Sequence, residues 1–262
     1  MRFQSTTIAK SMIRQVVFYA LLIAAWQVIY YLGASVFNLW KPYAFPNPAG
    51  VWNSLIVLLE QNGLFNAAFY SLQRGFIGYL IAILIGFTIG LSLIKFKFLT
   101  HTAKPLILGI QTLPSICWVP FAILWFGLNE RAIIFVVVMG SLFSIAISVD
   151  MAIRSVNPLY IKAAKTMGAK ESDLYMKVIL PASLPALISG LKQGWSFAWR
   201  SLMAGEIMVA AIGLGQALTM GRDLADINRV MLVIIVIILI GVLIEKLVFG
   251  LAEERVLRRM GL

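Results

Sequence analysis

Apolar residues in this chain do not alternate with polar ones. They come in long blocks separated by short polar stretches. Six blocks, 16–35, 75–94, 106–126, 132–150, 186–211 and 230–249, each come close to the ~20 residues a helix needs to cross a bilayer's hydrocarbon core. The pattern predicts an all-α integral membrane protein with six transmembrane helices. Between the first two blocks, Pro42, Pro46 and Pro48 precede a segment that predicts a short amphipathic helix at Ala49–Gln61. Pro48 suits its first turn, and Asn62-Gly63 closes it. Trp40, Tyr43 and Trp52 suit a membrane–water interface.

Composition agrees with the blocks. The 262 residues are 61% hydrophobic and only 13% charged, against about 25% charged in a typical soluble domain. The mean hydropathy is +0.91. Cys117 is the one cysteine, which excludes a disulfide framework and a cysteine metal cluster. His101, the one histidine, sits among Lys95, Lys97 and Lys104 and reads as a solvated loop residue.

The net charge of +11 raises the question of nucleic acid, and its distribution answers it. With the N-terminus in the cytoplasm, fifteen Lys and Arg fall on the cytoplasmic side, from Arg2 and Lys10 to Arg258 and Arg259. Five, namely Lys41, Arg74, Arg131, Arg222 and Arg229, fall outside, and Lys192 and Arg200 lie within a block. This asymmetry is a topology signal that places both termini in the cytoplasm. The first apolar block is longer than the ~7–15 residues of a signal-peptide core, so an uncleaved first span is expected. No internal repeat or flexible linker interrupts residues 1–262, which predicts one transmembrane domain.

The spans carry their own features. Gly86 and Gly90 form a G-x-x-x-G that lets another helix approach closely, for packing or for dimerisation. In the third block, Pro114 and Pro120 interrupt the helix beside Gln111, Thr112 and Ser115. Such an interruption is tolerated only where protein or water satisfies the freed backbone groups. It reads either as a kink or as the wall of a transport path. The fifth block holds Lys192, Gln193, Arg200 and Glu206. A charge at bilayer depth costs ~2.5–3.5 kcal/mol on insertion scales, so it faces a bundle interior or an aqueous path. Lys192 can snorkel from the cytoplasmic end. Arg200, after Trp195 and Trp199, offers a planar fork that suits a carboxylate or sulfonate. Gln111, Ser115, Trp199, Arg200 and Glu206 are therefore candidates for a translocation path. The competing reading pairs Arg200 with Glu206, but six residues set them about 240° apart on one helix.

The loop 155–181 is unusually polar, with Lys162, Lys165, Lys170 and Lys177. Asn157 and Pro158 predict a helix start and Gly168 a stop, giving a helix over 158–167. Tyr160, Ala163, Ala164 and Met167 recur at i, i+3, i+4 and i+7 and form one apolar, nearly flat face. Such a face fits a groove on a partner protein, or folds back on its own bundle.

Here the residues reach a resemblance. Ala163-Ala164, Gly168, Val178, Leu180 and Pro181 stand at the spacing of the EAA loop of binding-protein-dependent ABC importer permeases. Lys162 occupies the place where that family has Glu. The third block, ending in WFG, and the WRSLMAGEIM stretch of the fifth resemble the nitrate, sulfonate and taurine branch. The resemblance implies the type I importer permease fold, with 158–167 as a cytoplasmic coupling helix between spans 4 and 5. Tyr160, Ala163, Ala164, Lys165, Met167 and Gly168 would then meet an ATPase. It implies a second permease copy, with a homodimer expected, two cytoplasmic ATPases and a periplasmic or lipid-anchored solute-binding protein. The setting is the inner or plasma membrane of a prokaryote, and the solute a small anion such as a sulfonate, nitrate or taurine.

Other classes fit less well. No G-x-x-x-x-G-K-[ST] is present, so the chain is expected to need no cofactor, with ATP and Mg²⁺ bound by the ATPase partner. One His, one Cys and scattered acids supply no nucleophile–base set for an enzyme. An ion-coupled secondary transporter is the alternative, although such transporters are usually built from internal repeats.

Overall fold

The computed structural model describes residues 2–41 and 43–259, and its side chains from Ile13 to Arg258 apart from residue 42. The side chains of Arg2, Lys10 and Arg259, used above to orient the chain, lie outside the described residues. All regular structure among the described residues is helical. Five helices are long and apolar enough to cross a membrane, and six spans result if one sharply bent pair counts as one.

The chain groups into two compact units. The first comprises residues 1–65 and 217–236. Its first helix, α1 (Arg2–Tyr31), runs on through a π-turn, Leu32–Val36. Almost none of Ile13–Val36 is buried, as expected of a helix whose sides meet lipid. The amphipathic helix predicted at 49–61 forms as α2 (Pro48–Glu60). Asn47 caps it, its Oδ1 accepting from the Gly50 N–H, while its own N–H donates to Asn228 Oδ1 at 3.0 Å. Trp26 Nε1 donates to Pro46 O at 2.9 Å and ties α1 to the start of α2.

The second unit comprises residues 66–216 and 237–262. In chain order the remaining helices are α3 (Gly63–Lys95), α4 (Lys97–Gln111), α5 (Val119–Phe126), α6 (Glu130–Arg154) and α7 (Pro158–Thr166). They continue with α8 (Glu171–Asp173), α9 (Leu180–Val209), α10 (Leu214–Asp223), α11 (Ile227–Ile244) and α12 (Leu251–Arg259). α6 is the central helix and packs along α9 more extensively than any other pair. Gly86 and Gly90 of α3 face it. A Cβ on Gly86 would lie 2.9 Å from Ile145 atoms and Leu142 O, and one on Gly90 2.7 Å from Ala146 O. The G-x-x-x-G motif therefore packs α3 on α6 within the chain.

Three differences from the sequence prediction bear on the site. α3 begins at Gly63 rather than 75, so Arg74 lies inside a helix and is buried instead of lying in an outer loop. The third block is two helices bent by 101°, α4 and the segment Ser115–Phe126, so its proline site is a break and not a kink. Pro114 has no N–H to continue the helix, and it disfavours helical backbone at Leu113. The freed carbonyls are still served: Gly109 O accepts from Thr112 N–H and its hydroxyl, and Ile110 O accepts from Leu113 N–H. Pro120 sits in the first turn of α5, where a missing donor costs nothing. Finally, α8, a π-turn at Leu174–Ile179 and α9 form one 39-residue rod from Glu171 to Val209. Pro181 therefore lies inside this rod, two residues after the π-turn.

Candidate functional site

The polar loop forms the predicted helix almost to the residue. Asn157 Oδ1 accepts from Leu159 N–H at 2.9 Å, and Pro158 takes the first turn. Gly168 has φ +80°, the left-handed region that glycine enters at least cost. Ala169 N–H donates to Ala164 O and Gly168 N–H to Lys165 O, both at 3.0 Å, which closes the helix as a Schellman motif. The apolar face divides. Ala164 and Ile161 turn inward onto Val156, Leu174 and Ile179, whereas Tyr160, Ala163 and Met167 stay exposed with Leu159 and Lys165. Of the flat face expected to meet a partner, Ala164 thus belongs to the chain's own packing. Leu159, which the spacing argument left out, joins the outward side.

α9 presents a polar stripe. Ser189, Gln193, Ser196 and Arg200 are all exposed and stand at i, i+4, i+7 and i+11, within about 60° of one another around the helix. An exposed polar row on a membrane helix is not suited to lipid. Arg200 Nε donates to Ser196 O at 3.1 Å, and its guanidinium lies over the Phe197 ring, 4.7 Å from the centroid. Among the described residues no carboxylate pairs with it. Trp199 is buried and donates to Ile237 O at 3.3 Å, so it lines the wall mainly as a packing residue.

Three cavities border this stripe. One of about 400 Å³ is lined by Ser189, Lys192, Gln193, Ser196, Glu245 and Glu253. A second, about 310 Å³, lies between α9 and α11 and includes Trp199, Arg200 and Glu245. A third, also about 310 Å³, lies between α6 and α9 and includes Ser148, Ser155, Ser189 and Gln193. Lys192 does not simply snorkel: its Nζ pairs with Glu245 at 2.9 Å. The break in the third span reaches the same helix, since the Ser115–Trp118 turn packs on α6 and α9. A Cβ on Gly140 of α6 would collide with Ser201 Oγ and lie 3.3 Å from Ser115 Cβ. Ser115 is thereby brought beside the residue that follows Arg200. Gln111 is half-buried on the last turn of α4, with its Oε1 enclosed and without a hydrogen-bond partner among the described residues.

Glu206 is not on this stripe. It is fully buried, and its carboxylate accepts from Ser71 Oγ at 2.7 and 2.8 Å, Arg74 Nη1 at 3.1 Å and Gly215 N–H at 2.9 Å. Arg74 also donates to Ile212 O at 2.6 Å and to Glu130 at 2.8 Å. This network folds the Ala210–Gly215 turn back onto the end of α9, and it excludes the Arg200–Glu206 pair. A second buried carboxylate, Asp150, pairs with Lys104 and Arg154, both at 2.6 Å. Sequence reasoning missed Ser71, Arg74 and Asp150 as partners. The stripe had a readable signal in its spacing of three and four, and so did Asp150 with Arg154 at i,i+4; the Glu206–Arg74 and Asp150–Lys104 pairs had none within their own segments.

Residues 78–258 match the family described as binding-protein-dependent transport system inner membrane component. A putative aliphatic sulfonates transport permease protein of Bacillus subtilis is 28% identical over 239 residues, covering 91% of this chain and 84% of that protein. A nitrate import permease protein of Leptolyngbya laminosa is 30% identical over 196 residues, covering 73% and 69%. Among solved structures, an inward-facing methionine ABC transporter matches with a TM-score of 0.59 at 22% identity, over 72% of this chain and 92% of that one. That likeness bears on the fold alone, which is the expected all-α importer-permease fold.

Proposed function

The chain belongs to the binding-protein-dependent transport system inner membrane components, multi-pass proteins of ABC transporters, and on that premise we propose that it forms half of a pore importing a small anion. The observation that carries the solute class is Arg200, a permanent cation on the exposed polar stripe of α9 with no carboxylate partner among the described residues. Its fork can hold a sulfonate or nitrate bidentately while Ser196 and Gln193 offer neutral hydrogen bonds. The relatives named for sulfonates and nitrate support the same class.

In this reading residues 1–262 act as one permease domain, and a second copy closes the path opposite the stripe. Two cytoplasmic ATPases hold ATP and Mg²⁺ and dock on α7, and a solute-binding protein delivers the anion from outside. Leu159, Tyr160, Ala163, Lys165 and Met167 form the docking surface, and Gly168 sets its end. In this reading ATP hydrolysis is the work of the ATPases.

The test is uptake into proteoliposomes holding the permease with its ATPase and binding protein. Taurine, an alkanesulfonate and nitrate would be offered in turn. ATP-dependent accumulation of one of them is expected. Accumulation that follows an imposed ion gradient without ATP would instead make the chain an ion-coupled carrier.

A further inference from the structure

We propose that Asp150 is the positioning residue that carries movement of the α7 segment to the broken third span, an inference that rests on the permease reading above. Asp150 is fully buried in the last turns of α6, and its two oxygens are divided between two helices. Oδ1 accepts from Arg154 Nε on α6 itself, and Oδ2 from Lys104 Nζ on α4, each at 2.6 Å. Arg154 Nη2 reaches Thr100 Oγ1 at 3.2 Å and Leu93 O at 3.3 Å, so the start of α4 and the end of α3 share the same knot.

Each end of the connection is anchored. Arg154 is the last residue of α6, and two residues on, Val156 is buried with Leu174 and Ile179. Ile161 and Ala164 of α7 pack on that same cluster, which fixes α7 to the end of α6. At the other end, Lys104 precedes Pro105 in α4, the helix that stops at the Thr112–Pro114 break beside α9. Apolar contacts between α4 and α6, through Ile107 and Ile147, let helices slide against each other. A carboxylate held by two charge-assisted hydrogen bonds resists such sliding, because each bond has a preferred length and direction. A shift of α7 that turns the end of α6 therefore pulls α4 through Asp150.

Cys117 offers a readout that needs no solute. It is exposed, it lies in the turn at the break, and it is the single cysteine of the chain. The experiment measures its alkylation rate by a maleimide in the permease–ATPase complex, made with a cysteine-free ATPase, with and without ATP and vanadate. In the unmodified chain the trapped state is expected to change the rate by ~5-fold or more, the lower end of typical coupling between sites. Asp150→Asn keeps the side-chain volume, and both cations can reach water, since the Lys104 and Arg154 side chains are 25% and 45% exposed. It is expected to erase most of that change while complex yield and ATP hydrolysis persist. Lys104→Gln leaves the Asp150–Arg154 bond intact and removes Asp150's own link to α4, the Arg154–Thr100 contact remaining, so it serves if Asp150→Asn fails to assemble, and loss of more than half of the change is expected. A full nucleotide-dependent change in either assembled variant overturns the proposal. An unchanged rate in the unmodified complex overturns it as well, while leaving the permease reading to the uptake assay.

Discussion

Glu206 and Arg74, 132 residues apart in the chain, meet inside the helical unit at 3.1 Å, with 0% and 5% of their side chains exposed. The contact gives the glutamate of the fifth span a partner from α3 and leaves Arg200 without one. Breaking such a buried pair on one side leaves a charge stranded and costs about 3–5 kcal/mol. Glu206→Ala and Arg74→Ala are therefore expected to lose most of the folded protein. Glu206→Gln keeps the acceptor for Gly215 N–H and should lose less. Thermal unfolding in detergent measures all three. If both alanine variants unfold within a degree of the parent, the network is not holding the Ala210–Gly215 turn.

Arg200 should behave oppositely. Its side chain is exposed and pairs with no acid among the described residues, so Arg200→Gln is expected to leave melting temperature and complex yield unchanged while lowering uptake of the anion about tenfold or more, equivalent to ~1.4 kcal/mol. Arg200→Lys should retain part of the uptake. Adding Glu206→Gln to Arg200→Gln should not restore uptake; recovery there would mean the two residues pair in another conformation.

On α7, cysteine scanning separates outward from inward positions. Single cysteines at Tyr160, Ala163 and Met167 are expected to crosslink to a co-purified ATPase, and one at Ala164 is not, because it packs on Val156 and Leu174. A dominant Ala164 crosslink would put the docking face about a fifth of a turn away. Gly168→Val forces a β-branched residue to φ +80°, a strain of about 1–3 kcal/mol. The Schellman turn should open, and ATP hydrolysis in the complex should lose its stimulation by binding protein.

Topology can be read independently by adding cysteines to a Cys117→Ser chain. Replacements at Asn62 and Leu224 are expected to react with an impermeant maleimide on intact cells, and those at Lys97 and Lys170 only after permeabilisation. The reverse pattern would turn α7 away from the cytoplasm and remove any ATPase from its reach.

What could be read directly from the residues was whatever depends on near neighbours. A block of about twenty apolar residues crosses a bilayer wherever its partners lie, so the six spans, including the interrupted one, were legible. Asn157, Pro158 and Gly168 act on backbone groups within one helical turn, so α7 was predicted nearly to the residue. The charge asymmetry needed only a count along the chain. Pro114 marked where the third span fails, since its missing N–H is a local defect.

The tertiary structure decided what depends on groups far apart in the chain. The 101° angle at that break follows from how the Ser115–Trp118 turn packs on α6 and α9, and Gly140 leaves the space for it. Arg74 looked like an outer-loop charge until α3 was found to begin at Gly63, and only folding brought it to Glu206. Asp150 lay at the edge of an apolar block with nothing nearby in sequence to announce Lys104, 46 residues away. A buried charge persists only when an opposite charge or enough hydrogen bonds arrive to replace water. Which residue arrives is set by helix packing, and packing is a property of the assembled chain.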